Sequence, residues 1–479
     1  MSTRLLLLLL LLPAGCAWDG QKADDIFHAE VARDLGAGPE EEILAERDDD
    51  DALAAGQRLE ERATIEAAGP GLTLSECFRL AIAGSERLRG RAEQIFEADM
   101  ARREAIAAVL PHVALYGTHT KDSNKIAFGG GSAFQPSERT NYGFLVTQTI
   151  FDGELAPKLS IIEETRRIQA LTLRDERDRL LFNVASDFYV ALGLEADLGA
   201  IRATRASAEE ALRVFEARAE VGLARADDVL LAQASVAEAE ARSIQVGADL
   251  DRVRARLSST LGRTPLPPLV DTYDVVTDAG PLPRLVDLGL RQRADLEAAR
   301  RAVEEARSRE DLTFTEFLPK ADLTFNHLTE SEEGFNSQLD WTLGVNLTWN
   351  LFEAGGSVAR VAQARSAVRR RQLELKALEE QVKLEVEDAA LAFRSLDRAQ
   401  FAFAARARAA TAAHAITEEL LAAGSATQLE LLVARDTRED AARNLIRTTL
   451  GRKLAALRIR LAAGDLRNAP PVAALADGP

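Results

Sequence analysis

From Asp340 to Leu351 the sequence reads DWTLGVNLTWNL, with apolar side chains at Trp341, Leu343, Val345, Leu347, Trp349 and Leu351 and polar or small ones between them. A repeat of two over that length specifies a β-strand whose two faces meet different surroundings. It suits a strand of a soluble sandwich, and equally a strand of a membrane barrel with lipid on one face and water on the other. Three more segments have an extended pattern, at about 113–121, 142–152 and 321–330, so the chain owns four strands arranged as two hairpins. In the second, Tyr142, Phe144, Val146 and Ile150 share a face that Gln148 interrupts; in the third, Leu323 and Phe325 stand against Thr324 and Asn326. Four strands cannot close on themselves. In hydrocarbon an open edge leaves backbone groups unpaired at a cost of several kcal/mol each, so strands of this kind enter a membrane only if several chains share one barrel.

The rest of the chain reads as helix. No proline lies between Pro157 and Pro265 or between Pro319 and Pro470. Apolar residues there fall at steps of three and four, as in Leu180, Val184, Phe188, Ala191, Leu194, Leu198 and Ile201, the spacing of amphipathic or coiled-coil helices. A helix over about 154–221 would be roughly 100 Å long at 1.5 Å per residue. Gly222 and Gly424 interrupt the two long helices and mark the turns of helical hairpins, the first followed by a cap at Asp227 or Asp228. Thr427 with Glu430, and Thr73 with Glu76, have capping-box spacing, and Ser357 is placed to cap the helix that leaves the last strand.

These elements come twice. Leu110-Pro111 and Leu318-Pro319 break helix into strand 208 positions apart, the strand ends at Phe151 and Phe352 are 201 apart, and Gly222 and Gly424 are 202 apart. The longer loop of the first half, roughly 121–141 with Gly129–Gly131, accounts for the difference. A repeat this long is a duplicated domain and not a solenoid array. The expected divisions are a signal segment over 1–16, an acidic extension over 17–70, a first repeat over 71–264, a linker over 265–282, a second repeat over 283–465 and a tail over 466–479.

The chain begins with Met1-Ser2-Thr3-Arg4 and eight leucines, a basic then apolar pattern of an export signal that is too short to cross a bilayer as a helix. Leu12-Pro13-Ala14-Gly15-Cys16 resembles a bacterial lipobox, with Pro13 where a leucine is usual; acylation of Cys16 and ordinary cleavage after Ala17 are the two readings. Cys77 lies in a helical pattern beside Phe78 and Leu80 and reads as a small buried apolar residue. The formal net charge of −17 argues against nucleic-acid binding. Asp48–Asp51 lack EF-hand spacing and read as a solvated linker. His28, His112, His119, His327 and His414 have no partner at metal-ligand spacing, and Gly129–Gly131 is not followed by a phosphate-loop Lys. Carboxylates such as Glu164 have arginines three or four residues away, here Arg167, and read as solvated helix pairs. No catalytic motif, cofactor or metal site emerges.

Taken in order, Leu72-Thr73-Leu74-Ser75-Glu76, the two Leu-Pro breaks, the glycine-ended strands, the Gly222 and Gly424 hairpins and the Leu261-Gly262-Arg263 and Leu450-Gly451-Arg452 tails resemble the TolC-like family of outer-membrane efflux proteins over roughly 70–465. The resemblance implies a mainly α fold with a small transmembrane β part: a homotrimer with a long α-helical barrel joined to a shared 12-stranded β-barrel. It implies a passive duct in an efflux or type I secretion system, set in outer-membrane lipid, working with a periplasmic adaptor (membrane fusion) protein and an inner-membrane pump. In the lipoprotein subgroup Cys16 would carry palmitate. The family's aperture acids correspond to Asp228 and Glu430, with Arg225 as a possible partner; Val433 stands where a further acid is common. Three symmetry-related carboxylates near an axis repel one another and attract cations. The competing reading is a soluble periplasmic coiled-coil scaffold or pump adaptor, against which the duplicated hairpins and the alternating strands weigh.

Overall fold

The computed structural model describes residues 71–121, 138–222, 225–273, 280–332, 338–423 and 425–469, together with Ala29 and Val472. The signal segment with Cys16, the acidic stretch with Asp48–Asp51, Gly129–Gly131 and Gly424 lie outside the described residues. In chain order the elements are α1 (Leu74–Ala83), α2 (Glu86–Ala107), β1 (His112–Lys121), β2 (Glu138–Phe151), α3 (Leu155–Glu220), α4 (Ala226–Leu261), α5 (Leu282–Gln292), α6 (Ala294–Phe314), β3 (Lys320–Glu332), β4 (Gln338–Thr348), α7 (Gly356–Ala422) and α8 (Gln428–Ala462). Short 3₁₀ turns occupy Thr315–Phe317 and Leu466–Asn468. The long helices α3 and α7 have 66 and 67 residues.

The chain divides into two compact units. The first holds 92–170 and 298–377, and with them the whole sheet. Its four strands lie in the order β1-β2-β3-β4, every neighbour antiparallel. Pro111 stands between α2 and β1, and Pro319 directly before β3, where a missing N–H and a fixed φ end helical pairing. After β4 the chain turns at Ala354 (φ 50°) and Gly355 (φ 89°). This turn, and not a serine cap, starts α7: Ser357 already lies inside the helix, and its hydroxyl donates to Glu353 Oε2 at 2.9 Å. Glu164 also departs from the solvated pair expected of it. It is buried, 2.8 Å from Arg167 and 3.8 Å from Arg301, because α6 supplies a second guanidinium on that side.

The second unit holds 171–297, the chain from Leu378 onward and α1. Thr73 caps α1 with a reciprocal box: its N–H donates to Glu76 Oε2 at 2.6 Å, and the Glu76 N–H donates to the Thr73 hydroxyl at 3.4 Å. Leu74, Cys77, Phe78 and Ala81 of α1 are buried, as are Leu181, Val184 and Phe188 of α3. Burial pushes the Cys77 thiol up to about 12, so it stays protonated and unreactive at neutral pH. A further core joins Val382, Val386, Ala389, Ala390 and Phe393 of α7 to Leu285 of α5 and to Ala455, Ile459 and Ala462 of α8. Alanine recurs there because its small side chain lets helices approach closely. Arg293, between α5 and α6, reaches Asp295 at 2.6 Å and Glu385 at 2.5 Å, tying the α5–α6 break to α7.

Phe393→Ala is expected to cost about 3–5 kcal/mol, read as a lower midpoint for thermal loss of helical circular dichroism. Phe393→Leu should cost less than about 1.5 kcal/mol; equal losses from both variants would show that Phe393 is not a packing anchor.

Candidate functional site

The registers place opposite residues of neighbouring strands on the same face of the sheet. On one face Val113, Leu115 and Gly117 of β1 continue into Tyr142, Phe144 and Val146 of β2. These continue into Leu323, Phe325 and His327 of β3, and these into Trp341, Leu343 and Val345 of β4. This face is apolar and carries an aromatic row: Phe144 lies 5.2 Å from His327 and 5.8 Å from Phe325, and Phe325 stacks on Trp341 at 6.4 Å. On the edge strand β4 the apolar side chains Trp341, Leu343, Val345 and Leu347 are 58–69% exposed. An apolar face of that extent, left uncovered by the described residues, is the mark of a surface that meets lipid or a partner.

The opposite face is polar. Thr118 stands opposite Asn141, Thr147 opposite Thr324, and Thr342 and Asn346 opposite Asn326 and Asp322. Its side chains bond across the strands: the Tyr116 hydroxyl donates to Asn326 Oδ1 at 2.7 Å, Thr149 to Asp322 Oδ1 at 3.0 Å, and Asn346 Nδ2 to Thr324 Oγ1 at 3.3 Å. His327 is polar by type, but its register puts it on the apolar face, edge-on to Phe144. Gln148, which interrupts the apolar pattern of β2, spends its amide on the carbonyls of Val109 at 2.6 Å and Thr149 at 3.0 Å. It thereby pins the end of α2 to the end of β2. Among the described residues, the sheet's outer edges, on β1 and β4, pair with no further strand.

Below the sheet, charged side chains hold the strand–helix junctions. Lys320 pairs with Glu154, which also meets Lys158 at 2.7 Å. Bonds from these lysines hold the Glu154 carboxyl below its usual range. Arg360 joins Glu316 at 2.6 Å and Glu353 at 2.5 Å, and the Trp349 indole N–H donates to the Phe317 carbonyl at 3.1 Å.

The two helical hairpin tips belong to the second unit. α3 stops at Glu220, and Gly222 (φ 75°) takes the left-handed conformation that lets the chain leave the helix. Arg225, in extended conformation, occupies the cap position of α4, and its N–H donates to Asp228 Oδ2 at 3.1 Å. Neither Asp227 nor Asp228 is therefore the cap residue itself; Asp228 reaches back from the first turn. The Arg225 guanidinium pairs with Asp227 at 2.9 Å rather than with Asp228. In the second hairpin Thr427 caps α8 with a full box: its N–H and hydroxyl donate to Glu430 Oε2 at 2.6 and 2.9 Å, and the Glu430 N–H returns to the hydroxyl at 3.3 Å. Asp228 and Glu430 thus hold equivalent places in equivalent turns. The Thr427 backbone bond, followed by its hydroxyl bond, lowers the Glu430 carboxyl below its usual range. Among the described residues no helix is long and apolar enough to cross a membrane, and no group of three metal-ligating side chains is assembled.

An open-edged antiparallel meander with one apolar and one polar face, in a chain that also holds two long helical hairpins, is the make-up of a membrane-channel subunit. The family model described as outer membrane efflux protein matches residues 78–263 and again 285–465. The chain belongs to the outer membrane efflux protein family. Its fold is similar to the Campylobacter jejuni CmeC outer membrane channel (TM-score 0.73, 15% identity, 82% of this chain and 86% of that one). It is also similar to the outer membrane protein VceC of Vibrio cholerae (0.68, 18%, 82% and 96%). A third likeness is to the open state of the Neisseria gonorrhoeae MtrE outer membrane channel (0.69, 18%, 82% and 90%). A search of curated proteins gave no match.

Because the folded Glu430 carboxyl titrates below its unfolded value of about 4.3, its contribution to the α8 start is complete above that pH and is lost as pH falls through the lowered value. The protection factor of the Thr427 amide, its exchange corrected for the intrinsic pH dependence, is expected to fall on acidification through this window. In Glu430→Gln that pH dependence should vanish; its persistence would assign the titration to another group.

Proposed function

We propose that this protein is the outer-membrane channel component of a tripartite efflux or type I secretion system, a passive trimeric duct from periplasm to exterior. The observation that carries the reading is the uncovered apolar face of a sheet whose two edges are both open. β1 and β4 run in opposite directions, so the β4 edge of one copy meets the β1 edge of the next in antiparallel fashion. A ring of copies then closes a barrel with no edge left over. Three copies supply twelve strands, the number that the family resemblance implies. The apolar face then contacts outer-membrane lipid, and the polar face, with its threonine, asparagine and tyrosine network, lines a wet lumen.

Among the described residues no group of three metal-ligating side chains is assembled, which suits a passive wall that leaves the choice of substrate to an inner-membrane pump and the docking to a periplasmic adaptor. Acylation of Cys16 with palmitate adds a lipid anchor to the barrel's own hold on the membrane. At the hairpin tips, threefold rings of Asp228 and Glu430 give the aperture a negative potential that favours cations, while Arg225 balances Asp227. A periplasmic scaffold or adaptor has no use for a sheet with one lipid-like face.

Fractionation should place the protein in the outer membrane as a heat-resistant trimer that conducts ions in planar bilayers. Glu430→Ala should weaken its cation preference, read as a smaller reversal potential in a salt gradient. A soluble periplasmic monomer would refute the duct. Unchanged selectivity in Glu430→Ala would remove only the aperture role.

A further inference from the structure

The second unit holds a cavity for which a passive duct has no use. α5 lies against α7 and α8 and is drawn closest at Gly289, where a Cβ atom would stand 3.2 Å from the Ala462 carbonyl oxygen and 3.2 Å from Val386 Cγ2. Toward the start of α5 a gap opens, because the chain opposite offers Ala456 and Ala463, side chains too small to fill it. The space left is about 300 Å³. That is room for roughly ten waters, at the lower end of the size range of small-molecule sites.

Its walls are of two kinds. Leu285 and Leu288 of α5, Phe393 of α7 and Ile459 of α8 are apolar. Against them stand two guanidinium groups, Arg284 on the first turn of α5 and Arg460 near the end of α8, and one carboxylate, Asp465. Arg460 is already engaged: it meets Asp465 at 3.4 Å and donates to the Asn468 carbonyl at 3.0 Å. Arg284 is exposed, and its side chain is in no ion pair among the described residues. Asp287, one turn further along the same helix, is taken by Arg291 at 2.9 Å. Tyr273 also lines the cavity, and burial raises its phenol, so it stays protonated and able to donate. Two cations against one anion leave a positive charge beside apolar walls.

We propose that this cavity binds a small organic anion, an aromatic or short aliphatic carboxylate or sulfonate, with its charged end at Arg284 and Arg460 and its apolar body against Phe393, Leu285 and Ile459. An inorganic anion would leave the apolar walls in water, and a neutral hydrocarbon would leave Arg284 without a counter-charge. An amphipathic anion meets both demands, and the guanidinium fork takes a carboxylate by paired, charge-assisted bonds. The site goes beyond the duct and does not depend on it: every lining residue belongs to the second unit, and the sheet takes no part.

The probe is naphthoate, with naphthamide as its uncharged counterpart of the same shape. Titration calorimetry on full-length protein in lipid nanodiscs, corrected with empty discs, should show saturable binding of naphthoate at a single site per chain. Naphthamide should bind at least about tenfold more weakly, the loss expected for a charge-assisted bond. Arg284→Gln should weaken naphthoate by about the same tenfold factor and leave naphthamide unchanged. Ala456→Phe, which fills the space, should abolish binding of both. Should that variant fail to fold, Arg284→Glu, at an exposed position, carries the test, because its carboxylate repels the probe. Equal affinity for the two probes, no saturable naphthoate binding, or undiminished binding in Ala456→Phe or Arg284→Glu would overturn the proposal. Conduction in planar bilayers reports on the duct alone. Protein that binds naphthoate without conducting keeps the site and loses the duct, and protein that conducts without binding it loses only the site.

Discussion

A backbone amide or carbonyl at the edge of a sheet has no choice but to find a partner, and in hydrocarbon water cannot be that partner. This obligation governs the rest of the molecule. Among the described residues the four strands leave it unmet at the edges on β1 and β4, whose opposite senses follow from the antiparallel meander. The same obligation explains why polar side chains gather on the other face. There the Tyr116–Asn326, Thr149–Asp322 and Asn346–Thr324 bonds run across strands. They satisfy polar groups locally and stiffen the wall without relying on any occupant of the lumen.

The helices solve a different version of the same problem. Each helix start leaves amides unpaired, and the chain meets this with reciprocal boxes at Thr73–Glu76 and Thr427–Glu430 and a one-sided version at Arg225–Asp228. The two acids with the strongest claim to an aperture role are thus already engaged in holding their helices. At Glu430 the backbone and hydroxyl donors of Thr427 keep the carboxylate charged to lower pH, so the bonds that hold the helix start also hold the charge.

Much of this was legible in the sequence because it is periodic. The alternation from Trp341 to Leu347, the proline-free stretches and the spacing of the Leu-Pro breaks each report one backbone geometry repeated many times. What escaped depended on single contacts. β1 looks weak because Ala114 and Gly117 give little alternation, yet it pairs along its whole length with β2. Ser357 has the chemistry of a cap, but the turn at Ala354 and Gly355 starts the helix one residue earlier. Glu164 has the spacing of a solvated pair, and only the approach of Arg301 from another helix buries it. His327 is polar by type and apolar by position, which nothing short of the register reveals. The reach of Gln148 to Val109 likewise depends on where α2 ends.

The lengths of the two long helices carry a last consequence. α7 exceeds α3 by one residue, 67 against 66, although both begin at equivalent places after their strands. One additional residue advances a helix by about 1.5 Å and rotates its face by about 100°. The additional residue falls at the end of α7, so equivalent side chains keep one phase along the shared length and the two helices differ only where they stop, at Glu220 and Ala422. The sameness that the two repeats keep in their strand pairing therefore ends at the hairpin turns, where Arg225 and Asp228 close one start and Thr427 and Glu430 the other.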